Sequence, residues 1–146
     1  MTKHTMTTSP TARMIVVNTL WLAALVAATI LGYTEFVFDG DESRVSYAIV
    51  LVLAVSLVAL MRGHRAHVNQ AAWLCETLGF VGTLIGITIG LSNVDVAALS
   101  SPEGVIAAGN SLFGGVATAF CSTIVGAFAM LWIWSVGRVV VSGEDG

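Results

Sequence analysis

A chain of 146 residues in which 56% are hydrophobic and only 10% charged cannot cover a soluble globule of that size, because soluble domains carry roughly 25% charged residues. Its mean hydropathy of +0.88 and long uncharged runs point to membrane spans. The formal net charge of −3, with six Lys and Arg scattered along the chain, leaves no basic patch for nucleic acid. Nothing resembles a zinc site or a phosphate loop, so no metal or other cofactor is expected.

Residues 1–12 are polar and Thr-rich and contain Lys3 and Pro10. They are read as a flexible cytoplasmic tail. The first apolar run, about residues 14–34, is long enough for a bilayer core of about 30 Å. It exceeds the apolar region of a signal peptide, and no A-x-A site closes it, so it is read as a true span.

Residues 35–44 form a short acidic link with Glu35, Asp39, Asp41 and Glu42. The second span, 45–61, is dominated by Val, Leu and Ala and is expected to face lipid. The only basic cluster follows, Arg62-Gly-His-Arg-Ala-His67. The third span covers 71–92. Asn93, Asp95, Ser100, Ser101, Pro102 and Glu103 then mark a polar loop. The fourth apolar run, 104–136, is longer than one crossing, so it is expected to tilt or to emerge at one end. Residues 139–146 form a second cytoplasmic tail. The expected domain is thus an all-α membrane unit over 13–138, with four transmembrane helices.

Lys3, Arg13, Arg62, Arg65 and Arg138 lie on one side of this four-span layout, and Arg44 alone on the other. The positive-inside rule places both termini and the 62–72 loop in the cytoplasm. Tyr33 and Tyr47 fall at the outer boundary, and Trp73, Trp132 and Trp134 near the inner one, in agreement with that orientation. Cys75 and Cys121 both fall in apolar runs, where they read as small packing residues.

Two stretches are too rich in Gly, Ser and Thr to be plain lipid anchors. The first is Gly79-Phe-Val-Gly-Thr-Leu-Ile-Gly86. The second is Gly115-Val-Ala-Thr-Ala-Phe-Cys-Ser-Thr-Ile-Val-Gly126. Helical spacing aligns Gly82, Gly86 and Gly90 in one column, and places Gly79 on a face with Thr83. Such columns let helix backbones approach closely in a membrane. Thr83 can bond back to its own backbone or face a water-filled lumen. Thr88 and Ser92 are weaker candidates of the same kind. In the fourth span Ser111, Gly115, Thr118 and Ser122 make a stripe flanked by Thr123 and Gly126. That stripe suits a narrow passage or plain helix–helix contact.

Among ionisable groups, Glu76 lies deepest, about one turn inside the third span, where it either serves a functional role or snorkels toward Arg62 or Arg65. Glu35 and Asp95 fall at outer helix ends. No carboxylate falls at the centre of any span, and no set of His, Asp and Glu at catalytic spacing supports an enzyme.

Together, in this order and on consecutive spans, the two stretches resemble the motif helices of the MotA/TolQ/ExbB family of proton-channel subunits. The first resembles that family's GLLGTVxG helix and the second its GIAEALxTTxxGL helix. The resemblance covers roughly Ala71–Trp134. It implies a homo-pentamer in a bacterial-type inner (cytoplasmic) membrane. Five copies would surround single-span helices of a MotB/TolR/ExbD-like partner that carries the proton-binding aspartate. The ion gradient would then drive movement of the ring around that partner, as in a stator or motor. Carried over by motif position, Thr83, Ser122 and Thr123 would face the partner aspartate.

Three departures accompany the resemblance. Thr118 stands where many members have glutamate, which leaves the coupling ion, H⁺ or Na⁺, open. Ala127-Phe-Ala-Met130 replaces an AIPA segment. The long cytoplasmic segments shrink to 62–72, which argues against a flagellar stator. The expected ion pathway is therefore Thr83, Thr123, Ser122 and Thr118. Gly79, Gly82, Gly86, Gly90, Gly115 and Gly126 would form the pore wall, and Glu76 would be secondary. The alternatives are a small four-span dimeric carrier using Glu76 or Glu35, and a pore-forming or structural membrane protein with no gradient coupling.

Overall fold

The computed structural model describes residues 10–141. Within them the chain is all helical, with five α-helices and one 3₁₀ turn, Ala97–Ser100. The α-helices are α1 (Pro10–Ile30), α2 (Tyr33–Gly40), α3 (Val45–Met61), α4 (Val68–Ser92) and α5 (Pro102–Val141). Three of them, α1, α4 and α5, are long and apolar enough to cross a membrane, while α3 is a shorter apolar helix. The chain is a multi-pass membrane protein.

Several expected boundaries move. Helix α1 begins at Pro10 and α5 runs to Val141, so residues 10–12 and 139–141 are helical and not tail. The rest of both expected tails, residues 1–9 and 142–146, lies outside the described residues. The acidic link is largely helical as α2. Gly32 makes this possible, because its φ of 78° ends α1 and lets α2 start in a new direction at no steric cost to glycine. Past α3, Gly63 adopts a φ of 84°. Gly63 N–H donates to Leu60 and His64 N–H to Ala59, a Schellman ending that satisfies the last carbonyls of α3.

Helices α4 and α5 form an antiparallel pair, and glycine sets their separation. Gly79, Gly82, Gly86 and Gly90 are all buried. A Cβ on Gly86 would lie 2.7 Å from Ala119 N, and one on Gly90 2.9 Å from Gly115 Cα. From the other side, a Cβ on Gly126 would lie 2.8 Å from Cys75 O. Any side chain here would push one backbone off the other, so the column is the contact surface of α4 on α5 within one chain.

The remaining helices cover one side of this pair. Ile49 of α3 packs with Ala71, Ala72, Cys75, Ala129 and Ile133 in an apolar core. Cys75 and Cys121 are free and buried, as packing residues would be. Helix α1 docks through Trp21, which stacks on Trp132 at 5.9 Å and meets Phe128 edge-on at 4.9 Å. Two side-chain hydrogen bonds fix its register: Trp21 Nε1 donates to Ser135 Oγ at 2.8 Å, and Trp132 Nε1 to Asn18 Oδ1 at 2.9 Å. Buried indoles need such acceptors. Asn18 is a polar residue of the first apolar run that the sequence reading passed over.

Candidate functional site: a hydroxyl pair on the open side of the α4–α5 seam

The seam between α4 and α5 has two sides. On one side Val45 Cβ lies 3.4 Å from where a Gly82 side chain would begin, and α3 closes the groove. The other side carries Thr83 and Thr123. Their Oγ1 atoms meet at 2.5 Å. Thr83 Oγ1 is also within reach of Gly79 O at 3.1 Å and Ala119 O at 3.4 Å, and Thr123 Oγ1 of Ala119 O at 3.0 Å. Two hydroxyls bring two protons and four lone pairs. Both protons are taken up by these acceptors and by the pair itself, so lone pairs remain to accept a proton donor or to solvate a cation from the open side.

The flanks of the pair are apolar and exposed. Phe80 and Ile87 of α4 stand one turn to either side of Thr83, and Val116 and Phe120 precede Thr123 on α5. Glu76 is exposed, two turns from Thr83 on the same side of α4 by helical periodicity. The pair is therefore a small polar spot in an apolar wall.

The other two residues expected on the ion path lie elsewhere. Thr118 is 2% exposed and donates to the carbonyl of Gly40 at 2.9 Å, which ties α5 to the end of α2. Ser122 is fully buried. Its hydroxyl bonds Ala119 O at 3.1 Å and reaches Gly79 O at 3.4 Å inside the seam. Ser111 likewise donates across the seam to Gly90 O at 3.0 Å. The stripe on α5 is thus a helix–helix contact with Thr118 at its covered edge, because a 3.6-residue period turns each of these residues away from Thr123. Thr88 and Ser92 bond to their own helix at Leu84 O and Ile89 O. Asp95 accepts from Ala97 N and caps the 3₁₀ turn, while Glu35 sits exposed in the first turn of α2.

One carboxylate is buried where none was expected. Asp41, 3% exposed, sits between α2 and α3, beside the Gly40 carbonyl that Thr118 holds. It accepts from Ser43 N at 3.1 Å, from Ser43 Oγ at 2.5 Å and from Ser46 N at 2.8 Å. The last of these satisfies an N–H in the first turn of α3, whose N-cap, Arg44, makes no side-chain cap of its own. Burial pushes the Asp41 carboxyl up, but the hydrogen bonds from Ser43 and Ser46 outweigh it and hold the group below its ordinary range. The signal in the sequence was Asp41-x-Ser43-x-x-Ser46 ahead of an apolar run, a local capping pattern.

No family model matches the chain, and neither a curated protein nor a solved structure matches it. Fold and site by themselves define a class: a helical multi-pass membrane protein with one hydroxyl pair at an open interhelical seam.

Proposed function

We propose that the chain is the ring-forming subunit of a gradient-driven ion channel or motor of the MotA/TolQ/ExbB kind, in a bacterial-type inner membrane. In this reading α1, α3, α4 and α5 all cross the bilayer, with both termini in the cytoplasm. At 17 residues, α3 spans about 25 Å, near the lower limit for a crossing. Five copies surround a single-span partner whose aspartate takes up the proton.

The observation that carries the proposal is the meeting of Thr83 and Thr123 on the uncovered side of the seam. A protonated partner carboxyl would find there the hydroxyl lone pairs to donate to, in a site of low dielectric that strengthens the bond. Among the described residues no carboxylate lies beside the pair, and in this reading the acid comes from another chain. Asp41 is already engaged with Ser43 and Ser46 on the far side of α5.

The test is photo-crosslinking from Phe120, one turn from Thr123 on the open side. With benzoylphenylalanine at that position, the full chain in its own membranes should trap a small single-span protein bearing a central Asp. Adducts with lipid alone would sink the proposal.

A further inference from the structure

At the end of the bundle where α4 begins and α5 ends, Arg65, Ala66, Val68, Asn69, Trp134, Gly137 and Arg138 enclose an open cavity of about 580 Å³. Arg138 stacks over Trp134, its guanidinium carbon 4.2 Å from the ring centroid. That stacking restrains the guanidinium beside the cavity. Arg65, half-buried, also lines the cavity. Val68 and Asn69 of the lining belong to the first turn of α4, which has no side-chain cap at His67, so the positive end of a 25-residue helix borders the cavity. Gly137 permits the closeness, since a Cβ there would lie 2.5 Å from Val68 Cγ1.

The cavity also lies at a boundary. Arg138 closes the uncharged stretch of α5 that follows Glu103, where a basic side chain would reach the headgroup region. Trp134 and the exposed Trp73 sit at the same end, where indole rings favour the headgroup level.

We propose that this cavity binds the phosphate of an anionic phospholipid headgroup. Arg65 and Arg138 offer paired N–H donors to a phosphodiester, Asn69 offers an amide, and the α4 terminus offers positive potential. Trp134 lies where the glycerol and upper acyl chain would pass. The chemistry is that of a phosphate with a single negative charge. Its source is the membrane, because the cavity opens at the bilayer boundary beside two exposed indoles. The assignment does not depend on the ion-channel reading.

The test uses the full chain in nanodiscs of mixed phosphatidylcholine and phosphatidylglycerol, extracted into detergent and examined by native mass spectrometry. Phosphatidylglycerol should be retained over phosphatidylcholine by about thirtyfold, the scale of two guanidinium contacts at a membrane surface. Arg65→Gln with Arg138→Gln should abolish that preference. The charge-keeping pair Arg65→Lys with Arg138→Lys should retain part of it, and Arg44→Gln, at the other end of α3, should leave it unchanged. Added inorganic phosphate distinguishes the source. Resistance of the bound lipid to millimolar phosphate supports the headgroup. Displacement by phosphate, with no preference between the two lipids, would replace the lipid by a soluble phosphate and overturn the proposal. Equal retention of both lipids in the parent and in the Gln pair would overturn it as well.

Discussion

Thr83 and Thr123, 40 residues apart in sequence, bring their hydroxyl oxygens to 2.5 Å on the side of the α4–α5 seam that no other helix among the described residues covers. Replacing either by Val keeps the shape and removes the hydroxyl. Thr83→Val and Thr123→Val should each abolish gradient-driven activity and leave the assembled complex intact. The measurement is proton-driven activity in cells beside the size of the extracted complex. Normal activity in both variants would remove these residues from the ion path. Ser122→Ala, by contrast, should act through stability alone, since its hydroxyl lies inside the seam.

The glycine column makes a sharper structural prediction. In Gly86→Ala the new methyl would meet backbone atoms of Ala119 and Gly115, which cannot swing away. Overpacking of this kind costs about 1–3 kcal/mol. Gly114→Ala is the matched control, because nothing lies within 4 Å of its added Cβ. It should stabilise by up to about 1 kcal/mol through helix propensity. Thermal unfolding of the detergent-solubilised chain reads both, and equal effects would contradict the close approach of α4 and α5.

Asp41 predicts a pH dependence. Its folded pKa lies below the unfolded value of about 3.9, so ionised Asp41 adds stability above that value, and the contribution fades as pH falls through the lower, folded pKa. The loss should therefore appear only below about pH 4. Asp41→Asn, which weakens the bonds from Ser43 and Ser46, should cost about 1 kcal/mol, the scale of a helix cap, and should flatten the acid limb. A variant with an unchanged acid limb would show that Asp41 does not anchor α3.

Glu76 and Glu35 separate the channel reading from a carrier. Both are exposed, and neither touches the hydroxyl pair. Glu76→Gln and Glu35→Gln should retain most activity if the working acid belongs to a partner. Loss of transport in either variant, with assembly intact, would favour the carrier.

The long elements were legible because each is an uninterrupted apolar run, and the glycine column was legible because its spacing survives any tertiary arrangement. Helix α2 was not, since Glu35 and Asp39 gave it the composition of a loop. Only the tertiary contact from Thr118 to Gly40 shows what holds its end. The site was legible in half. Periodicity marked Thr83, and the resemblance of the second stretch marked Thr123, but neither could tell which side of α5 the other helices would cover. That choice depends on where Trp21, Ile49 and Gly40 dock, and it is what buries Thr118 and Ser122. Asp41 escaped notice for the same reason: a carboxylate in an acidic link reads as solvated until the chain folds it against α5.

The central claim is that this chain forms a ring around an acid-bearing partner. Native mass spectrometry of the complex extracted from its own membranes tests it most directly. The account predicts five copies of the 15.2 kDa chain together with a single-span protein. A monomer or a dimer with no second chain would contradict it.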